Sequence, residues 1–155
     1  IIHKLYEASQ AGVKIHLIIR GICCLRPQVK GLSENITVTS IIGRFLEHSR
    51  IYIFANGGKF LSPKNTVIMA SGDLMPRNLY RRVETFIPLE NETVRAQVLK
   101  QVIVALLQDT SNCWELMSDG KYMKKEKSQD NFSSHTYFMQ NPSLSGLGSL
   151  AVPNK

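Results

Sequence analysis

A chain of 155 residues with 43% hydrophobic composition has room for one domain around a single core. It contains no apolar run near the ~20 residues that cross a bilayer and no signal-peptide pattern, and its three cysteines (Cys23, Cys24, Cys113) have neither zinc-site spacing nor a disulfide framework. The formal charge of +7 is unevenly spread: between Arg20 and Arg82, seven Arg and three Lys face only Glu34, Glu47 and Asp73. Arginine's planar fork of donors suits phosphate oxygens, so this stretch fits a polyanion ligand as well as it fits a solvated basic face.

In chain order, Ile2, Leu5, Tyr6 and Ser9 fall at helical spacing, with Gly12 where a helix-ending glycine belongs. The opening residues Ile1-Ile2-His3-Lys4-Leu5 read as mid-helix, which leads to the expectation of a piece cut from a longer protein. Val13, Ile15, Leu17 and Ile19 alternate, predicting a buried strand that ends at Arg20-Gly21, with His16 structural. A loop over 21–35 leads to a second strand at Ile36–Ser40, and a short helical turn is expected at Arg44-Phe45-Leu46.

Arg50–Phe54 is a third predicted strand, turned by Asn56-Gly57-Gly58 into a partner at Thr66–Ala70. A further strand is expected at Val83–Ile87, stopped by Pro88. A long helix is predicted over 91–108, with Asn91 as its cap and Val94, Val98, Val102 and Leu106 as a core stripe. Residues 112–123 are expected to pack on the domain as an extension. From Glu126 the chain is Ser-rich and without periodicity, so residues 126–155 are expected to form a tail that is mobile or docks weakly and in which His135 has no role. Helix followed by buried strand is an α/β pattern.

Polar groups cluster at the ends of these strands. Arg20 follows VKIHLII, His48-Ser49-Arg50 introduces IYIF, and Ser71-Gly72-Asp73 follows TVIMA, with Arg77 and Asn78 soon after. Ligands of open α/β sheets bind at strand ends, so these groups are candidates for one anion site.

The runs YEASQAGVKIHLIIRGICCLRP, GLSENI, GRFLEHSRIYIF and SGDLMPRNLYRRVE resemble, in order, the final domain of histidine-phosphorylating bacterial polyphosphate kinases. The resemblance covers residues 3–125 and implies a phospholipase D-like fold, a mixed sheet flanked by helices, for residues 1–125. In that fold a His-x-Lys strand and a Ser on the next strand form a phosphate pocket, and His48-Ser49-Arg50 and Ser71 match those positions, with Arg50 keeping the charge. Leu74 stands where the family carries an aromatic residue, and Gly72 where it carries Ala.

The resemblance further implies an enzyme that reversibly transfers the terminal phosphate of ATP to polyphosphate through a phosphohistidine in the preceding domain. Arg20 and His48 match the family's ATP contacts, with His48 catalytic and Arg50, Ser71, Arg77 and Asn78 completing the phosphate-binding set. Mg²⁺ is expected to bind mainly outside this chain. The implied partners are ATP or ADP, polyphosphate, the preceding catalytic domain and, in the full-length protein, further copies of itself, with no nucleic acid. The implied location is the bacterial cytoplasm, with peripheral contact to the inner membrane left open.

Two other readings compete. A phospholipase D-like nuclease or lipase needs two intact His-x-Lys halves, and this chain has one altered half. A non-catalytic polyanion- or nucleic-acid-binding module fits the charge, but Phe45, Tyr52 and Phe54 fall at core-like positions instead of interleaving with the basic residues.

Overall fold

A computed structural model describes residues 1–125 and 131–141. Its elements are α1 (Ile2–Gln10), β1 (Ile15–Ile18), β2 (Ile36–Ile41), β3 (Ile51–Phe54), β4 (Thr66–Ala70), α2 (Pro76–Arg81) and β5 (Phe86–Pro88). They continue with α3 (Glu92–Gln97), a π-helical stretch (Val98–Ile103), α4 (Val104–Gln108), β6 (Cys113–Leu116), β7 (Tyr122–Lys124) and α5 (Ser134–Gln140). One unit comprises Ile1–Leu46 with Gln108–Met139 and the other is centred on Glu47–Leu107. No hydrogen-bonded strand pair links the two sheets among the described residues.

The first unit is built on a four-stranded sheet of order β1-β2-β6-β7, parallel between β1 and β2 and antiparallel elsewhere. Gly12, at φ +86°, ends α1 in a Schellman motif. Its N–H donates to the Ser9 carbonyl and the Val13 N–H donates to the Ala8 carbonyl. Ile36 and Val38 of β2, with Leu25 and Leu116, form the core, against which Ile2, Leu5, Tyr6, Ile15 and Leu17 pack.

The strand predicted to be buried, β1, lies instead at the sheet edge. Paired only with β2, it is half-buried, and Val13 is left outside it. His16 is structural, with Nε2 2.9 Å from Thr39 Oγ1. The stretch expected as an extension supplies β6 and β7, which complete the sheet beside β2. Its burial pattern, with only Cys113 and Leu116 buried in β6, lacks the alternation that marks a strand.

The second unit holds an antiparallel sheet of order β3-β4-β5. Asn56 (φ +53°) and Gly57 (φ +75°) form a tight turn, closed by the Gly58 N–H on the Ala55 carbonyl, at the start of the loop that joins β3 to β4. The strand expected at Val83–Ile87 forms later, at Phe86–Pro88, and includes Pro88, which an edge strand tolerates because its N–H is not needed. Residues 76–81, assigned no element from the sequence, form α2, with Pro76 at its first position.

Asn91 caps α3 as predicted, its Oδ1 accepting the Val94 N–H at 3.1 Å. The helix then widens into the π-helical stretch. The buried side chains accordingly run through Val98, Leu99, Ile103, Val104, Ala105 and Leu106, while Val94 remains exposed.

The expected helical turn at Arg44–Leu46 does not form, because the Phe45 N–H is directed at His135 and not along a helix. His135, given no role by the sequence, is buried on α5 together with Ser134. Within the expected tail, residues 131–141 therefore carry a docked helix, and residues 126–130 and 142–155 lie outside the described residues.

Candidate functional site

Because β3 and β4 run antiparallel, the start of β3 lies beside the end of β4. Ile51 pairs with Met69, and the Ala70 N–H donates to the Arg50 carbonyl at 2.9 Å. This brings together His48, Arg50, Ser71 and Asp73, four polar residues drawn from two sequence motifs. The Arg50 Nε donates to Asp73 Oδ1 at 3.0 Å. Its Nη1 donates to the His48 carbonyl at 2.9 Å and lies 3.3 Å from His48 Nδ1. The His48 ring is thus turned back on the guanidinium while its side chain remains exposed. The Ser49 N–H donates to Glu47 Oε1 at 2.7 Å, fixing the turn into the strand.

Ser71 and Asn78 are held differently. The Ser71 hydroxyl donates to Glu84 Oε2 at 2.5 Å, and Asn78 Nδ2 donates to Glu84 Oε1 at 2.8 Å. Ser71 Oγ in turn accepts the Thr85 N–H at 3.0 Å. The Ser71 hydroxyl, and then Asn78, hold the Glu84 carboxyl below its ordinary pKa; partial burial opposes them, while Arg82 and Arg50 add to the lowering. Glu84 therefore remains an anion, and it takes up a donor from each of Ser71 and Asn78, two residues expected from the sequence to bind phosphate.

Gly72 permits this arrangement. A Cβ there would lie 2.5 Å from Glu84 Cδ, so the alanine expected from the resemblance would oblige Glu84 to move. Glu84 was missed as a site residue. Its one signal in the sequence is its position as the acid that closes the basic run RNLYRRVE.

Tyr52 supports the end of β4 from β3. Its hydroxyl donates to the Gly72 carbonyl at 3.3 Å, and its ring stacks on Phe86 with centroids 5.9 Å apart. Burial pushes its phenol pKa up, Asp73 adds to the rise and Arg50 opposes it.

Arg77 is exposed in the first turn of α2 and makes no hydrogen bond or ion pair with other described residues. Arg20 belongs to the first unit, directly after β1, where its carbonyl accepts from Ser40 Oγ at 3.3 Å. The loop that follows it lines a cleft of about 330 Å³ with Gly21, Cys23, Cys24, Arg26 and Tyr122. Arg26 Nε and Nη2 both donate to the Ser118 carbonyl, at 3.2 and 2.8 Å.

The residues do not fit a divalent-metal site. Among those described, no group of three His, Cys, Asp or Glu side chains is placed to hold an ion. The Asp73 carboxylate is engaged by Arg50, that of Glu84 by Ser71 and Asn78, and that of Glu47 by the Ser49 N–H. No helix among the described residues is long and apolar enough to cross a membrane.

Residues 1–135 match the model of a family described as polyphosphate kinase C-terminal domain 2. The chain belongs to this family. It is 58% identical over 148 residues to a polyphosphate kinase of Erythrobacter litoralis, covering 96% of this chain and 21% of that protein. A polyphosphate kinase of Helicobacter pylori is 51% identical over 138 residues, 89% of this chain and 19% of its own length. The crystal structure of a polyphosphate kinase from Porphyromonas gingivalis superposes with a TM-score of 0.82 at 36% identity, over 94% of this chain and 22% of that one.

The chain therefore spans about a fifth of the length of the relatives it matches. The polyphosphate kinase likeness bears out the expected phospholipase D-like α/β class, with the difference that the strands are shared between two sheets.

Proposed function

We propose that this chain is the phosphate-gripping C-terminal domain of a polyphosphate kinase that reversibly moves the terminal phosphate of ATP onto polyphosphate. The observation that carries this reading is the pairing of His48 with Arg50 at the mouth of an antiparallel strand pair, in a chain belonging to this family. Arg20 neutralises phosphate oxygens whose charge redistributes during transfer, and the exposed Arg77 extends the cationic surface. His48 donates a hydrogen bond to the moving phosphoryl group or exchanges a proton with it, and Arg50 holds the imidazole in place. Ser71 and Asn78 reach phosphate only when Glu84 releases them.

The nucleophilic histidine is contributed by the preceding domain, so this chain alone binds ATP or polyphosphate weakly and does not synthesise polyphosphate. Mg²⁺ is supplied with the nucleotide from outside the described residues, and no step is assigned to it here. The full-length protein works as a homo-oligomer in the bacterial cytoplasm.

Arg20→Ala and His48→Ala in the full-length protein are each expected to reduce polyphosphate synthesis by about 100-fold, with circular dichroism unchanged. Near-normal turnover in both variants would sink the proposal. The Arg-dominated charge of residues 20–82 favours one second reading, a non-catalytic polyanion-binding module. A filter-binding titration at physiological salt separates the two, because preference for single-stranded DNA over polyphosphate and ATP supports the module.

A further inference from the structure

A neutral imidazole carries one N–H, on either Nδ1 or Nε2, and its neighbours decide which. The neighbour of His48 is Arg50, whose Nη1 lies 3.3 Å from His48 Nδ1. A guanidinium has donors and no acceptor, so this approach is a hydrogen bond only when Nδ1 is the unprotonated nitrogen. A proton there would point one N–H at another. The same Nη1 donates to the His48 carbonyl at 2.9 Å, which ties the guanidinium to the backbone of the residue whose ring it faces.

Arg50 is held from its other side as well. Its Nε donates to Asp73 Oδ1 at 3.0 Å in a partly buried ion pair. The two residues sit at adjoining strand ends, joined by the Ala70 N–H on the Arg50 carbonyl at 2.9 Å. The Tyr52 hydroxyl donates to the carbonyl of Gly72, the residue before Asp73, at 3.3 Å. All of these residues lie between Glu47 and Leu107, within one unit. A carboxylate thus orients a guanidinium, and the guanidinium faces one nitrogen of the His48 ring.

We propose that Asp73 and Arg50 are positioning residues that set His48 as its Nε2–H tautomer, so that His48 acts on the phosphoryl group as a hydrogen-bond donor and not as a proton acceptor. The proposal rests on the phosphoryl-transfer reading of His48 and decides between the two roles given for it above. A donor fixed in this way stabilises charge on the transferring oxygens without changing its own protonation.

The test measures polyphosphate synthesis by the full-length protein carrying His48→Gln, His48→Asn, or Asp73→Ala, the last alone and together with His48→Gln. The amide nitrogen of glutamine lies as many bonds from the backbone as imidazole Nε2, that of asparagine as many as Nδ1, and neither exchanges a proton. His48→Gln is expected to lose about 10-fold in kcat and His48→Asn about 100-fold, because only glutamine keeps a donor near the place of Nε2. Asp73→Ala is expected to lower kcat about 10-fold with KM for ATP little changed. In the His48→Gln background it should cost little more, because an amide has no tautomer to set. Circular dichroism should be unchanged throughout, since the His48 side chain is exposed and the Asp73 pair only partly buried.

Carbethoxylation of His48 by diethyl pyrocarbonate, followed by mass spectrometry, gives a readout apart from turnover. The reagent attacks the unprotonated ring nitrogen, which Arg50 covers, so Asp73→Ala should raise the rate severalfold. A His48→Gln protein no more active than His48→Asn would overturn the proposal, because a proton must then move at Nε2. An Asp73→Ala loss of equal size in both backgrounds would overturn it too, as would an unchanged carbethoxylation rate. If the unaltered full-length protein made no polyphosphate, the phosphoryl-transfer reading would fall, and the carbethoxylation rates would still decide whether Asp73 and Arg50 hold the ring.

Discussion

In the first unit the central strand β2 buries Ile36 and Val38 to 1% and 0% exposure, and the buried Asp109 carboxylate is matched, accepting from Ser134 and Asn112. In the second, the central strand β4 buries Val67 but leaves Met69 at 42%, and nearby Tyr80 and Val83 are almost fully exposed at 85% and 102%. Polar brackets hold the open end of that thin sheet: Arg50 to Asp73, and Glu84 to Ser71 and Asn78. The contrast is that between a scaffold and a site. Burial dominates in one, while in the other charged and hydroxyl groups stay near solvent and hold one another.

The largest expected effect tests the scaffold. Ile36→Ala should cost about 3 kcal/mol in chemical denaturation, since the residue belongs to the buried cluster on which α1 and β1 side chains pack and its truncation leaves a cavity. A loss below about 1 kcal/mol would mean that β2 is not the centre of that core. Asp109→Ala should follow at about 2 kcal/mol, because it strands the buried Ser134 hydroxyl and N–H. If burial rather than bonding holds α5, this variant will melt like the unaltered chain.

The smallest effect belongs to the second unit and depends on pH. Folding lowers the Glu84 pKa, so the carboxylate's contribution is fully present above its ordinary value of 4.5 and is lost as pH falls through that value and below. Glu84→Gln should therefore flatten the acid limb of the melting-temperature profile between about pH 5 and about pH 3. Parallel profiles for the two proteins would show that the bracket around Ser71 contributes nothing to folding.

The sites of misreading follow the same division. Helix α1 and its Gly12 stop, the β3–β4 hairpin and the Asn91 cap are local devices, set by periodicity and turn chemistry within a few residues, and they were legible. The edge position of β1, the recruitment of β6 and β7 beside β2, and the π-helical widening after Gln97 depend on which partners are available at long range, and no local pattern carries that.

The candidate site divides likewise. The strand ends that carry His48, Arg50, Ser71 and Asp73 could be read because they flank apolar strands. Glu84 could not, since its role exists only where the chain turns back from α2 toward β5. His135 read as a polar-tail residue because its neighbours Ser133 and Ser134 look solvated until Asn112 and Asp109 are brought to meet them.

The amino-acid sequence by itself determined the Arg-rich segment, the strand and helix formers, and the motifs that place the chain among polyphosphate kinase C-terminal domains. Tertiary structure alone decided that Ser71 and Asn78 are engaged by a resident carboxylate, that Gly72 gives that carboxylate room, and that a buried His135 accepts the Phe45 N–H. Hydrogen bonds across 13, 6 and 90 residues of chain form only after the elements pack, so their energetics are invisible to any window of local sequence.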